Sequence, residues 1–265
     1  MSEVAITKLL VEKGKRLYEA PKQFVHFTKN READDLLNDL SNHPHAFVLA
    51  CVMDRQIKAE KAWIIPHKVR EKLGSFDFRI LRKLPQKQIY RLMTKPEPLH
   101  RFPEEMSRNF YEAVNLIADR YANNASNIWH DRPSSAELVY RFLEFRGVGQ
   151  KIGTMAANIL VRYFKIDLSD YYSIDISVDV QVRRVLARLD LVAPDDSIER
   201  IVYRARALYP EFPGLLDFPA WKIGREWCRP IEPICGECYM QAICPSKPKL
   251  ADKTSNRAHQ TTSAG

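Results

Sequence analysis

The chain has 265 residues, 45% of them hydrophobic, enough to bury one large core or two smaller ones. Its 41 Lys+Arg against 33 Asp+Glu leave a net charge of +8, a balance that favours polyanionic partners. No apolar run reaches the roughly 18 residues of a membrane span, and nothing in it is repetitive or low in complexity, so membrane-spanning and fibrous classes are set aside.

The N-terminal segment, MSEVAITKLLVEKGKRLYEA, predicts a helix and lacks the apolar core of a signal peptide, which points to an intracellular protein. In 45–63, apolar residues recur at helical spacing through Phe47, Ala50, Val52, Ile57 and Trp63. Pro103 opens a helix that carries Met106, Phe110, Val114, Ile117 and Tyr121 on one face. Ser134 and Glu137 form a capping box ahead of LVYRFLEF, and another helix runs from about Gln150 to Phe164. Val178, Val182, Val185, Leu186 and Leu189 give a further stripe, and 196–209 and 215–227 read as helical. No segment alternates with period two, so the chain is read as all-α. Residues 247–265 are polar and are read as a disordered tail.

Between two of those helices lies Phe145-Arg146-Gly147-Val148-Gly149-Gln150-Lys151. Two glycines one residue apart let the backbone adopt positive φ and approach another molecule closely. The helix that follows directs its free N–H groups and positive dipole end at the turn, which suits a phosphate. An ordinary tight helix–helix connection has the same composition.

Four cysteines, Cys228, Cys235, Cys238 and Cys244, are spaced C-x6-C-x2-C-x5-C. Disulfides need an oxidising compartment. A zinc ribbon supplies two C-x2-C knuckles where this loop has one. An iron–sulfur cluster wrapped by one loop fits the spacing best, with zinc the alternative. Cys51 lies in an apolar stretch and reads as core.

Helix–GVGxK–helix, then Ser177-Val178-Asp179-Val180-Gln181-Val182-Arg183-Arg184-Val185, then the cysteine loop, resembles the endonuclease III branch of the helix-hairpin-helix DNA glycosylases over roughly residues 40–246. The resemblance implies an all-α, two-domain fold: residues 1–41 with 169–246, including the cysteine loop, and 42–168 with the hairpin. It implies a monomer that binds double-stranded DNA bearing a damaged or mismatched base or an abasic site. The hairpin residues Arg146, Gly147, Val148, Gly149 and Gln150 would contact the DNA backbone. Lys151 would be the nucleophile and Asp179 the assisting carboxylate. Gln56 would fill the space left by a flipped nucleotide, and the four cysteines would hold a [4Fe-4S] cluster. Each has a plainer reading: Lys151 as a phosphate contact, Asp179 as a helix N-cap, Gln56 as a solvated glutamine at a helix end. Attack requires a neutral amine, which burial beside a helix N-terminus favours.

The chain departs from the family pattern in several places. Phe145-Arg146 replaces Leu-Pro ahead of the hairpin, and the stretch from Lys151 to Asp179 is expanded, so Asp175 competes with Asp179. The expected activity is base-excision repair with AP-lyase chemistry. A monofunctional glycosylase and a non-catalytic iron–sulfur DNA-binding protein remain alternatives.

Overall fold

The structure, a computed structural model, describes residues 3–247. The tail read as disordered, from residue 248 on, lies outside the described residues. Among those described there are thirteen α-helices, two 3-10 turns and no strand, as the absence of period-two alternation predicts. In chain order the helices are α1 (Glu3–Glu19), α2 (Arg31–Asn38), α3 (Pro44–Met53), α4 (Ala59–Trp63), α5 (Ile65–Leu73), α6 (Phe78–Leu81), α7 (Gln86–Thr94), α8 (Pro103–Arg120), α9 (Ser135–Leu143), α10 (Gln150–Arg162), α11 (Val180–Arg188), α12 (Ile198–Leu208) and α13 (Asp217–Glu226). They group into two compact units. One takes the N-terminal segment through Ala20 and the chain from Tyr171 on; the other is Pro21–Asp170. The sequence reading assigned residues 21–41 to the first unit; they pack in the second, where α2 lies against α3 and α5.

The Pro21–Asp170 unit is built around α3. Its sequence, PHAFVLACVM, has no charged side chain, and all ten residues are buried. A helix apolar all round needs neighbours on every side, and α2, α4, α5 and α8 supply them. Phe47 meets Trp63, Trp129 and Phe164 at ring distances of 5.7, 6.3 and 5.6 Å, and Phe27 stacks on Trp63 at 4.5 Å. The helical periodicity of 45–63 does not give one helix. α3 ends where the polar run Asp54-Arg55-Gln56 begins, Gln56 takes a left-handed φ of 56°, and α4 starts afresh at Ala59. Half of the expected capping box is formed: Ser134 Oγ accepts the Glu137 N–H at 3.1 Å and opens α9, while Glu137 Oε1 accepts from Arg141 Nε at 2.8 Å instead of turning back to the cap. α9 and α10 then pack against each other as the two arms of the hairpin.

The other unit buries Leu10 of α1, Val182, Val185 and Leu186 of α11, and Leu216 and Ile223 before and within α13, in one core. α11 and α13 approach closely because Gly224 has no side chain: a β-carbon there would lie 2.8 Å from Gln181 Cβ.

Candidate active site and cysteine loop

The hairpin turns at Gly147, whose φ of 86° lies in the left-handed region. A β-carbon at this position would be strained and would also come within 2.6 Å of Asn109 Nδ2. Gly149 differs: its φ of −104° and ψ of −179° are extended, and a β-carbon would meet nothing within 4 Å. Of the two glycines, only Gly147 therefore uses a conformation that a side chain resists.

Gly149 is the N-cap of α10, and no side chain caps that end. Its carbonyl accepts the N–H groups of Ile152 and Gly153, both at 3.0 Å. The N–H groups of Gln150 and Lys151 have no partner among the described residues. Donors left open at a helix N-terminus, beside a turn that admits close approach, make an anion site. Val148 is buried and its N–H bonds to Phe145 O at 3.0 Å, which anchors the turn. Arg146 and Gln150 are exposed, and Arg146 Nη1 lies 3.2 Å from Glu112 Oε1 on α8. Lys151 stands exposed on the first turn of α10, without the burial that the sequence argument sought for it.

The C-terminal end of α3 abuts this turn. Arg55 Nη1 would lie 3.5 Å from a β-carbon on Gly147, and it pairs with Glu105 Oε1 on α8 at 2.7 Å. The preceding residue, Asp54, is 8% exposed. Burial pushes its carboxyl up from the ordinary carboxylate range, while the charge of Lys151 pulls the other way. The sequence reading passed over Asp54; an acid directly after a wholly apolar helix was the signal for it. Gln56 is exposed, and its left-handed backbone at a non-glycine residue costs about 1 kcal/mol. It lines a shallow pocket with Lys58, Lys61, His100 and Arg101.

In the other unit Asp179 is the N-cap of α11. Its Oδ1 accepts from the N–H groups of Gln181 and Val182, both at 2.8 Å. It is half-buried, and its second oxygen has no hydrogen bond among the described residues. Its competitor Asp175 is 3% exposed and held bidentate by Arg206, Nε to Oδ1 at 2.7 Å and Nη2 to Oδ2 at 2.8 Å.

The four cysteines of the loop line one small cavity with Val185, Leu189, Ile223, Trp227 and Met240. Burial first, and then the neighbouring cysteines, push the Cys235 thiol up; burial dominates at Cys238 too. Two arginines that the sequence reading missed fasten the loop. Arg184 Nε donates to Cys228 O at 2.8 Å; Arg188 Nη1 donates to Arg229 O at 2.7 Å and lies 3.4 Å from Cys228 Sγ. They are four residues apart, on one face of α11, which was the available signal. Among the described residues no three or more His, Cys, Asp or Glu side chains are arranged as a metal-ion site. Cys51 belongs to the other unit and is fully buried in α3. No described helix is long and apolar enough to cross a membrane.

No family model matches the chain, and no curated protein matches it. Solved structures do. A non-covalent endonuclease III–DNA complex is 19% identical, with a TM-score of 0.60, over 95% of this chain and 99% of that one. A trapped endonuclease III–DNA covalent intermediate, an estranged-adenine complex, is 16% identical, with a TM-score of 0.59, over 94% and 99%. A thermostable thymine-DNA glycosylase is 15% identical, with a TM-score of 0.59, over 92% and 97%. At these identities the likeness is one of fold, and this all-helical chain has the fold of endonuclease III.

Proposed function

We propose that this chain is a base-excision-repair DNA glycosylase with AP-lyase activity. Its substrate is double-stranded DNA that carries a damaged or mismatched base or an abasic site, and it acts as a monomer. One observation carries the reading: Lys151 stands on the uncapped first turn of α10, directly behind the left-handed turn at Gly147. A phosphate bound by that helix end would bring a sugar of the same strand towards the lysine. The similar structures of endonuclease III on DNA, one of them a trapped covalent intermediate, support it.

Each residue then has a task. Arg146 to Gln150 hold the backbone of the damaged strand, with the open N–H groups of α10 on a phosphate. Reaching C1′ requires rotating the nucleotide out of the stack, at a cost of a few kcal/mol. Gln56, exposed just beyond α3, fills the space left behind. The neutral amine of Lys151 attacks C1′ as the base leaves, forming a C–N bond, and ring opening gives a Schiff base. Loss of the C2′ proton then breaks the C3′–O bond by β-elimination. The free oxygen of Asp179 stabilises the cationic sugar. Asp175 is unsuited to that role because both its oxygens are engaged by Arg206.

We further assign a [4Fe-4S] cluster to Cys228, Cys235, Cys238 and Cys244. Four thiols on one cavity with apolar walls, and a guanidinium against one sulfur, suit a compact anionic centre. Such a centre cross-links the loop and supplies no chemistry to the base.

The test is borohydride trapping on a duplex with one abasic site. The protein is expected to give a covalent adduct that Lys151→Gln abolishes while DNA binding persists. Base release without an adduct would establish a monofunctional glycosylase, and neither activity on any lesion would leave a DNA-binding protein.

A further inference from the structure

The first charged residue after the wholly buried helix α3 is Asp54. Its backbone N–H bonds to Cys51 O at 3.1 Å, which fixes the residue at the helix end. The residue is more than nine-tenths buried, yet no hydrogen bond or ion pair from the protein holds its carboxylate among the described residues, and its oxygens are not sealed from solvent. Buried acids are ordinarily paired. An unpaired one beside a reactive lysine is a candidate for function rather than for stability.

Its surroundings leave one exchange partner. The end of α3 abuts the hairpin turn, where Arg55 Nη1 would lie 3.5 Å from a β-carbon on Gly147, and α3 packs against α10, which carries Lys151 on its first turn; from there the charge of Lys151 reaches Asp54. On its own helix the Cys51 thiol is fully buried and pushed up by burial and then by the Asp54 charge, so it stays protonated. Arg55 is occupied by Glu105 of α8 at 2.7 Å. His100, in the loop before α8, accepts the Phe102 N–H on Nδ1 at 3.0 Å, and burial lowers its pKa, so near neutral pH it has no acidic proton to exchange with Asp54.

We infer that Asp54 accepts the proton that Lys151 must lose before its amine attacks the sugar, and so acts as the general base of the reaction. The inference rests on the AP-lyase reading above. As the exposed Lys151 side chain swings to Asp54, an N–H bond of its ammonium breaks and an O–H bond forms on the carboxylate, so two opposite charges are both neutralised. The lone pair freed on Nζ forms a C–N bond to the aldehyde carbon C1′ of the opened abasic sugar. The carbonyl oxygen collects one proton from the attacking nitrogen and one back from Asp54 and leaves as water. The products are an iminium that keeps one N–H and a regenerated Asp54 carboxylate. A carboxylate in water is too weak a base to hold an ammonium proton. Burial, which penalises the charge on Asp54, raises its basicity towards the task. An exposed lysine needs such a partner, because it lacks the burial that would favour its neutral form.

The experiment is single-turnover cyanoborohydride trapping on an abasic-site duplex from about pH 5.5 to about pH 9.5. Wild type, Asp54→Asn and Asp54→Glu are compared, with DNA affinity and thermal midpoint measured alongside. Asp54→Asn is expected to trap roughly 100-fold more slowly at neutral pH. It should close on wild type as pH rises and hydroxide replaces the carboxylate, with affinity unchanged. Asp54→Glu should regain part of the neutral-pH rate, and it serves as the probe if Asp54→Asn does not fold. Profiles of identical shape for wild type and variants, whether equal in rate or uniformly lowered, would overturn the assignment. If wild type itself traps nothing, the AP-lyase reading fails and this inference falls with it; if wild type traps and only the shape change is missing, the AP-lyase reading stands and Asp54 has no part in it.

Discussion

Asn109, fully buried on α8, packs on Gly147 at the hairpin turn, and no β-carbon fits between them. Among the described residues its Oδ1 has no hydrogen-bond partner and its Nδ2 reaches Met106 Sδ at 3.6 Å, so against Gly147 the amide acts as a packing surface. Gly147→Ala combines left-handed strain with overpacking and should lower stability by about 2 kcal/mol. Gly149→Ala, extended and open, should cost less than about 0.5 kcal/mol. Chemical denaturation of both variants, and of Gly147→Ala with Asn109→Ala, checks this. The double variant should recover part of the loss, because the clash is removed and the strain is kept.

The two aspartates should separate by readout. Asp175→Asn breaks a pair in which one partner is buried and Arg206 is partly exposed, so it should destabilise the fold by about 2–3 kcal/mol. Asp179→Asn keeps an oxygen for the N–H groups of Gln181 and Val182, so the thermal midpoint should stay close to wild type. Base release should fall by about two orders of magnitude or more, as the charge on the free oxygen is lost. Loss of activity in Asp175→Asn at unchanged stability would transfer the catalytic role to Asp175.

Purified anaerobically, the protein should be yellow-brown and hold about four irons per chain. Cys235→Ser should lose the colour, and Cys51→Ser, altered in the other unit, should keep it. Colourless protein with stoichiometric zinc would replace the cluster by a zinc site.

His45 carries a pH-dependent part of the stability. Its Nε2 donates to Phe76 O at 2.7 Å, it is 3% exposed, and burial lowers its pKa from 6.5 to about 4. The unfolded chain therefore binds a proton at this site at a higher pH than the folded one. Stability from this group is complete above about pH 6.5 and is lost as pH falls towards about 4, by about 3 kcal/mol in all. Denaturation at pH 7 and at pH 4.5, with His45→Gln as reference, should show wild type losing more than the variant.

Local chemistry was legible along the chain. The Ser134 cap, the Pro103 helix and its apolar face, the turn at Gly147 and the cysteine spacing all follow from interactions within a few residues, which composition and periodicity encode. Tertiary structure decided the rest, because it pairs residues that no local pattern connects. Arg206 takes Asp175 out of contention from 31 positions away. Asn109 closes the space beside Gly147 while Gly149 stays open. The apolar periodicity of 45–63 hid the break at Asp54, because a helix buried on every side shows no stripe whose end can be read. The same burial leaves Asp54 unpaired beside Lys151. An acid directly after an apolar helix marked the position in the sequence, but burial of a charge depends on which elements close over it, and only the tertiary structure decides that.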